Sequence, residues 1–385
     1  MSEDSLDEFA RNKLRSLERR QLKRELATVN RLDDGRVDSG GQELVSFSCN
    51  DYLGLARDSA TIRASILATE QLGAGAGASR LVTGSHSLYE RLESELASIK
   101  GTEDSVVFGS GYLANIGIIP LLAGKPDLIL IDELSHACML AGAKLSGASM
   151  ITFPHNDAAA ARTIFQSERS AHRNCLLLTE GVFSMEGDLA PLPALASLAD
   201  DFDAWLMTDD AHGLGVVGGG RGSSFAHEAP VDVPLQMGTL SKSVGAYGGY
   251  LCASRSVCEL VRNRARSFIF STGLPPGTVA AATQALAIIR EDSERVARPL
   301  KLASRFTAAL GLPAAQSAIV PLVVGTNEAA LEASEALRRA GFLVVAIRPP
   351  TVPQGTARLR FTFSAAQRDD DVERLISAVA RLDLR

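Results

Sequence analysis

Paired cysteines, long apolar runs and a surplus of positive charge are all missing from this sequence. Its five cysteines (49, 138, 175, 252 and 258) form no C-x-x-C and have no histidine at zinc spacing. That excludes a disulfide framework or zinc module, leaves no metal expected, and fits reduced structural thiols in a cytoplasmic protein. No stretch approaches the roughly 18 apolar residues of a membrane span, so no membrane partner is expected. The opening "MSEDSLDEFARNKLRSLERR" is acidic and then basic with no apolar core, which gives no expectation of a signal peptide. A formal net charge of −6 supplies no polycationic face for nucleic acid. Internal repeats and low-complexity linkers are absent as well. Lysine is sparse: Lys242 is the only one between Lys144 and Lys301.

What is present is the composition of a globular protein. The 46% hydrophobic and 22% charged residues exclude disorder, and 385 residues can bury a large core in two or three domains. Residues 1–28 read as one or two amphipathic helices, with Leu14 and Leu17, then Leu22 and Leu26, at helical spacing. Seven short apolar runs follow: "DSVVFG" (104–109), "PDLILID" (126–132), "SMITFP" (149–154), "NCLLLTE" (174–180), "AWLMTDD" (204–210), "PLQMG" (234–238) and "GYLCAS" (249–254). Helical patterns such as "PLPALASLADDF" separate most of them. This alternation predicts an α/β domain with a mainly parallel sheet covered on both faces. Beyond "STGLPPG" one long Ala-rich helix is expected, then strands "AIVPLVVG" and "RLRFTFS" around the helix "NEAALEASEALRRAGF". The expected division is an N-terminal helical segment (1–43), a large domain (44–284) and a smaller α+β C-terminal domain (285–385).

Several expected strands end in polar residues, and ligands of α/β sheets bind beyond the carboxyl ends of strands. "LILIDELSH" places His136 there, "LLLTEGVFSMEGD" places Glu180 and Ser184, "WLMTDDAHG" places Asp209, Asp210 and His212, and "LQMGTLSKS" places Thr239 and Lys242. "VVFGSGYLAN" runs from strand through Gly-Ser-Gly into a helix, whose unpaired amides favour an anion. An amine, a carboxylate and an anion site together suit pyridoxal phosphate (PLP). Lys242 would supply the amine and Asp209 would face the ring nitrogen. "GAGAGA" (73–78) loosely fits a dinucleotide fingerprint, but helical "TIRASILATEQL" precedes it where a strand is required. A glycine loop lining the substrate site fits better than an NAD-dependent dehydrogenase.

Seven ordered stretches, "SFSCNDYLGL", "GSGYLAN", "DELSHAC", "TEGVFSMEGD", "TDDAHGLGVVG", "TLSKSVGAYGGY" and "FSTGLPP", resemble the α-oxoamine synthases over roughly residues 40–365. The resemblance implies a PLP-dependent fold type I (aspartate aminotransferase-like) α/β enzyme. Such an acyltransferase condenses an amino acid with an acyl thioester and loses CO2. Within the family, "AIRPPTVPQGTARLRFTFSAA" and "ASRLVTGSH" look most like the branch that takes L-alanine and pimeloyl-CoA or a pimeloyl carrier protein in biotin biosynthesis. 5-Aminolevulinate synthases carry a Thr-Arg-Asn version of the second stretch. Other branches, 2-amino-3-ketobutyrate CoA ligase and serine palmitoyltransferase, share the scaffold. A catalytically silent partner subunit should lack the lysine.

The same resemblance implies residue roles. Lys242 is the Schiff-base lysine and proton shuttle, Asp209 pairs with the pyridinium, His212 bonds the ring's phenolic oxygen, and His136 stacks on the ring. Gly111, Tyr112 and Thr239 hold the phosphate, and Glu180 and Ser184 line the site. Asn50, Ser79, Arg348 and Thr351 contact substrate together with an N-terminal arginine, Arg24 or its rivals Arg19 and Arg20. Ser271 and Thr272 reach the partner subunit's phosphate, implying a homodimer. Glu180 also fits a strand-end helix cap, and Arg348 a surface ion pair. Asp210, adjacent to Asp209, should point the other way and cap or face a neighbour. His86, His155, His172 and His227 read as structural or surface residues.

Overall fold

A computed structural model describes residues 3–20, 22–24 and 26–382. These divide into a large unit, 49–320 with 362–366, and a small unit made of the rest. All seven apolar runs form strands of one sheet in the large unit: β1 (Asp104–Phe108), β2 (Leu128–Asp132), β3 (Ser149–Phe153), β4 (Cys175–Glu180), β5 (Trp205–Asp209), β6 (Leu235–Thr239) and β7 (Gly249–Ala253). Their spatial order is β1-β7-β6-β5-β4-β2-β3. Neighbours from β6 to β3 are parallel, whereas β7 runs antiparallel to both β1 and β6.

The continuous apolar texture of these strands follows from burial on both faces. Ile129, Ile131, Leu176, Leu178, Met207 and Met237 pack in one core with helices Gly111–Leu122, Ala137–Ser146 and Arg255–Arg264. Alternate residues, including Leu128, Leu130, Leu177 and Leu206, enter a second core with helices Ala158–Glu168 and Leu192–Asp201. Each fully buried leucine of this kind contributes about 1.5–3 kcal/mol relative to exposure. The consequence for function is positional. All five parallel strands point their carboxyl ends the same way.

The structure corrects two expectations, and its compact units divide elsewhere than expected. The N-terminal helix covers Glu3–Arg19 and ends where the Leu22 amide donates to the Leu17 carbonyl at 2.8 Å, so Leu22 and Leu26 lie outside it. The long C-terminal helix is two, Pro276–Glu291 and Ser293–Leu310, broken at Asp292, whose carboxylate accepts from the Arg295 amide. The unit boundaries fall at 48/49 and 320/321 rather than 43/44 and 284/285. Ile289 and Val296 pack in one core with Leu92, Leu96 and Tyr250, which keeps both helices in the large unit. Phe47 meets Phe342 edge-on at 6.0 Å, which keeps that stretch in the small one.

The small unit holds a sheet of Asn30–Arg31, Arg36–Ser39, Gln42–Ser46 and Phe342–Leu343, in that order. A second sheet has three strands in the order Ile319–Gly325, Ala357–Thr362 and Ala346–Ile347, and helices Asn327–Arg339 and Asp369–Val379 complete the unit. Among the described residues, no helix is long and apolar enough to cross a membrane.

Candidate active site

Parallel register sets Glu180 at the end of β4 directly beside Asp209 at the end of β5. Both are buried. Burial pushes the Glu180 carboxyl well above the usual carboxylate range; the Asp209 charge pushes the same way, while Lys242 opposes it. Glu180 Oε2 accepts from the Ser184 amide at 3.1 Å. Its Oε1 is buried without a hydrogen-bond partner among the described residues. Asp209 Oδ1 accepts from the Ala211 amide at 3.0 Å, and Oδ2 from Asn115 Nδ2 at 2.8 Å.

Lys242, half-buried after β6, brings Nζ within 2.6 Å of His212 Nε2. The other ring nitrogen, Nδ1, lies 2.6 Å from the Tyr52 hydroxyl, which donates to Asn50 Oδ1 at 3.2 Å. Lys242, His212, Tyr52 and Asn50 therefore form one chain of polar contacts. His136 caps helix Ala137–Ser146, its Nδ1 accepting from the Cys138 amide at 3.2 Å. The imidazole is open to solvent on one side, yet its surroundings lower its pKa through desolvation, with Asp209 opposing and Lys242 reinforcing. These groups are the polar rim read from the strand ends.

Gly111 opens its helix directly after β1, with Ser110 as N-cap accepting from the Leu113 amide. A Cβ on Gly111 would come within 3.3 Å of Met237 Cε and 3.4 Å of Thr239 Cβ, so glycine permits this close approach to β6. The first-turn amides of Gly111 and Tyr112 have no acceptor inside the helix. Tyr112 itself is exposed. The Thr239 hydroxyl donates to the Gly248 carbonyl at 2.7 Å and accepts from the Ser241 amide, so its hydrogen is already engaged.

Other expected site residues gather elsewhere. Ser79 bridges to Thr272, beside Ser271, in the large unit. In the small unit, Arg24 Nη2 donates to Thr351 Oγ1 at 3.2 Å, and the Thr351 amide donates to the Arg348 carbonyl at 3.1 Å. Arg24, Arg348 and Thr351 thus stand together, whereas Arg19 ends the first helix and Arg20 follows it. Asp210 turns from Asp209 as the pleat requires and pairs with Lys100 at 2.7 Å. His155 bridges Asp132 at 3.2 Å and Asp188 at 2.9 Å. Sequence reasoning missed Tyr52, Asn115, Cys138 and Lys100. Tyr52, Asn115 and Cys138 sit inside quoted motifs, "CNDYLGL", "GYLAN" and "DELSHAC", whose positions were the available signal.

The donor set fits PLP on the structure's own terms. An amine, a buried carboxylate, a buried carboxyl oxygen without a partner and unpaired amides at a helix start converge on one strand-end rim. The profile of the family described as aminotransferase class I and II matches residues 42–379. A solved serine palmitoyltransferase from S. paucimobilis, with a bound PLP–myriocin aldimine, superposes with a TM-score of 0.91 at 28% identity, covering 98% of this chain and 97% of that one. The chain belongs to the class I and II aminotransferases and has their PLP-dependent fold type I architecture.

Closer relatives narrow the family. An 8-amino-7-oxononanoate synthase of Granulibacter bethesdensis is 56% identical over 98% of each chain. One from Maricaulis maris is 54% identical over 97% of this chain and 96% of its own. Within its class, the chain is an α-oxoamine synthase most like the 8-amino-7-oxononanoate synthases.

Proposed function

We propose that the chain catalyses the 8-amino-7-oxononanoate synthase reaction of biotin biosynthesis, in the cytoplasm, as a PLP-dependent homodimer. A carbon–carbon bond forms between Cα of L-alanine and the thioester carbonyl of a pimeloyl group. The thiol of CoA or a carrier protein leaves, and the alanine carboxylate departs as CO2. The observation that carries this reading is the convergence of Lys242, His212 and Asp209 on one rim, in a chain alike to such synthases over nearly its full length.

When bound, PLP supplies an electron sink for the pair left on the amino-acid carbon. Lys242 Nζ would hold the cofactor covalently and, when released, move the proton at Cα of alanine. Asp209, fixed by Asn115 and the Ala211 amide, would face the ring nitrogen and favour its protonated form. His212 is held by Tyr52 and presents Nε2 beside Lys242, the place from which it would bond the phenolic oxygen. His136 would cover the ring face, and Ser184 and Glu180 would line the site. The amides of Gly111 and Tyr112 would take the phosphate, with Thr239 beside them after its hydroxyl turns from Gly248. Asn50, in contact with Tyr52, would approach the acyl substrate or the carboxylate, and Arg24, Arg348 and Thr351, which cluster on the small unit, would contact substrate.

Ser79 would contact substrate, and Ser271 and Thr272 would reach the partner subunit's phosphate. Exposed Leu81, Val82 and Phe270 flank them, a density of apolar surface that a second copy would cover. Thiol release with alanine, glycine and serine against pimeloyl-, succinyl-, acetyl- and palmitoyl-CoA tests the reading. Alanine with the pimeloyl donor should give the highest kcat/KM; another pair ranking first would overturn it.

A further inference from the structure

Asn115 is completely buried in helix Gly111–Leu122, 94 residues from Asp209 in the chain, and its Nδ2 donates two hydrogen bonds. One goes to Asp209 Oδ2 at 2.8 Å, the other to Cys138 Sγ at 3.1 Å. The Cys138 sulfur in turn lies 2.8 Å from His136 Nδ1. Because the sulfur accepts from Asn115, its own hydrogen is free to point at that nitrogen. The Cys138 amide donates to the same nitrogen at 3.2 Å. The amide donor requires Nδ1 to be unprotonated, so the imidazole carries its hydrogen on Nε2, and the contact with the sulfur can then be made only by the thiol hydrogen.

We propose that Asn115 and Cys138 are positioning residues that tie the His136 imidazole to the Asp209 carboxylate, fixing the ring's tautomer and orientation. The relay is Asp209–Asn115–Cys138–His136, and three of its four members lie on or beside two helices packed against each other. Asn115 takes both roles with one amide group, since a carboxylate and a sulfur acceptor need two hydrogens on a single nitrogen. Aspartate there would repel Asp209, and leucine would leave one oxygen of Asp209 and the thiol without a donor. Burial raises the thiol of Cys138 to about 12, with Asp209 adding to the rise, so the sulfur keeps the hydrogen that the relay needs. The inference rests on the reading that His136 covers PLP, but the tautomer itself belongs to the protein.

The test compares Cys138→Ser with Cys138→Ala in the PLP-loaded enzyme. Serine and alanine fill similar space and differ in one hydroxyl, so their difference reads the hydrogen bond and not the packing. Nitrogen-15 spectra of histidine-labelled protein should show wild-type His136 as a single tautomer with Nδ1 unprotonated. Alanine keeps the backbone donor but loses the side-chain one, so it should admit a measurable fraction of the other tautomer and weaken apparent PLP affinity about fivefold, the equivalent of ~1 kcal/mol. Serine should restore both. A protonated Nδ1 in the wild type, or serine and alanine variants that behave alike, would overturn the relay. Absence of PLP binding by the wild type would sink the functional reading instead, while the nitrogen spectra would still decide the tautomer.

Discussion

Asp209 and Asp210 are neighbours in sequence, both buried, and sit in opposite kinds of surroundings. Asp210 is enclosed. Lys100 Nζ lies 2.7 Å away, the pair is 1% and 0% exposed, and the Ser223 amide donates to the same carboxylate. A Cβ on Gly213 or Gly222 would run into its oxygens at under 2 Å, so the backbone wraps it on those sides as well. Lys100 is completed by the Arg221 carbonyl at 2.9 Å. Around Asp209 the fixed donors among the described residues are an amide side chain and one backbone N–H, with no cation bonded to it, and Glu180 Oε1 beside it has no hydrogen-bond partner among them. A closed, charge-matched carboxylate holds structure. One held by neutral donors beside an unsatisfied acid, at the strand-end rim, is available for chemistry.

Three changes would sharpen or break that contrast. The largest effect is expected from Lys100→Met, which leaves the Asp210 carboxylate buried and unpaired. Unfolding free energy should fall by about 3–5 kcal/mol in urea titration. Unchanged stability would mean that Asp210 is not structural. Asp209→Asn comes next. It keeps the shape but removes the charge, and turnover should drop by on the order of 10²–10³. The melting temperature should stay within about 4 °C of wild type, and a larger loss would place Asp209 with the structural group.

The smallest effect concerns His155, held between Asp132 and Asp188. Burial opposes its charge, but hydrogen bonds and charges of the two carboxylates win and raise its pKa to about 10. A group whose pKa rises on folding stabilises fully below its unfolded value of 6.5, and that contribution disappears as pH climbs through about 10. While Asp132 and Asp188 stay ionised, the stability advantage of wild type over His155→Asn should therefore be level up to about pH 6 and shrink steadily toward about pH 10. An advantage that grows with pH would contradict the ion-pair account.

The legible parts of the molecule were those encoded locally. Each of the seven strands shows as a short apolar run; Glu180 and Asp209 end two of them, and His136, His212 and Lys242 stand just past one. The pleat also separated Asp209 from Asp210 before any partner was known. What could not be read were partners distant in the chain. Asn115 reaches Asp209 across 94 residues and Lys100 reaches Asp210 across 110, and nothing in the sequence around either donor marks its target. The helix break at Asp292 was hidden for another reason. The residues on both sides have good helix propensity, and a single capping aspartate ends one helix and starts the next. Likewise both helices around 284/285 turn their apolar faces to the large unit's core, and sequence patterning reports that a face is apolar without naming what covers it.

The central claim is that Lys242 carries the cofactor while Asp209 keeps its ring charged. Reduction of the PLP-loaded protein with borohydride, then proteolysis and mass mapping, tests it most directly. A single pyridoxyl group on Lys242 is the predicted result; an adduct on another lysine, or none, would contradict the account.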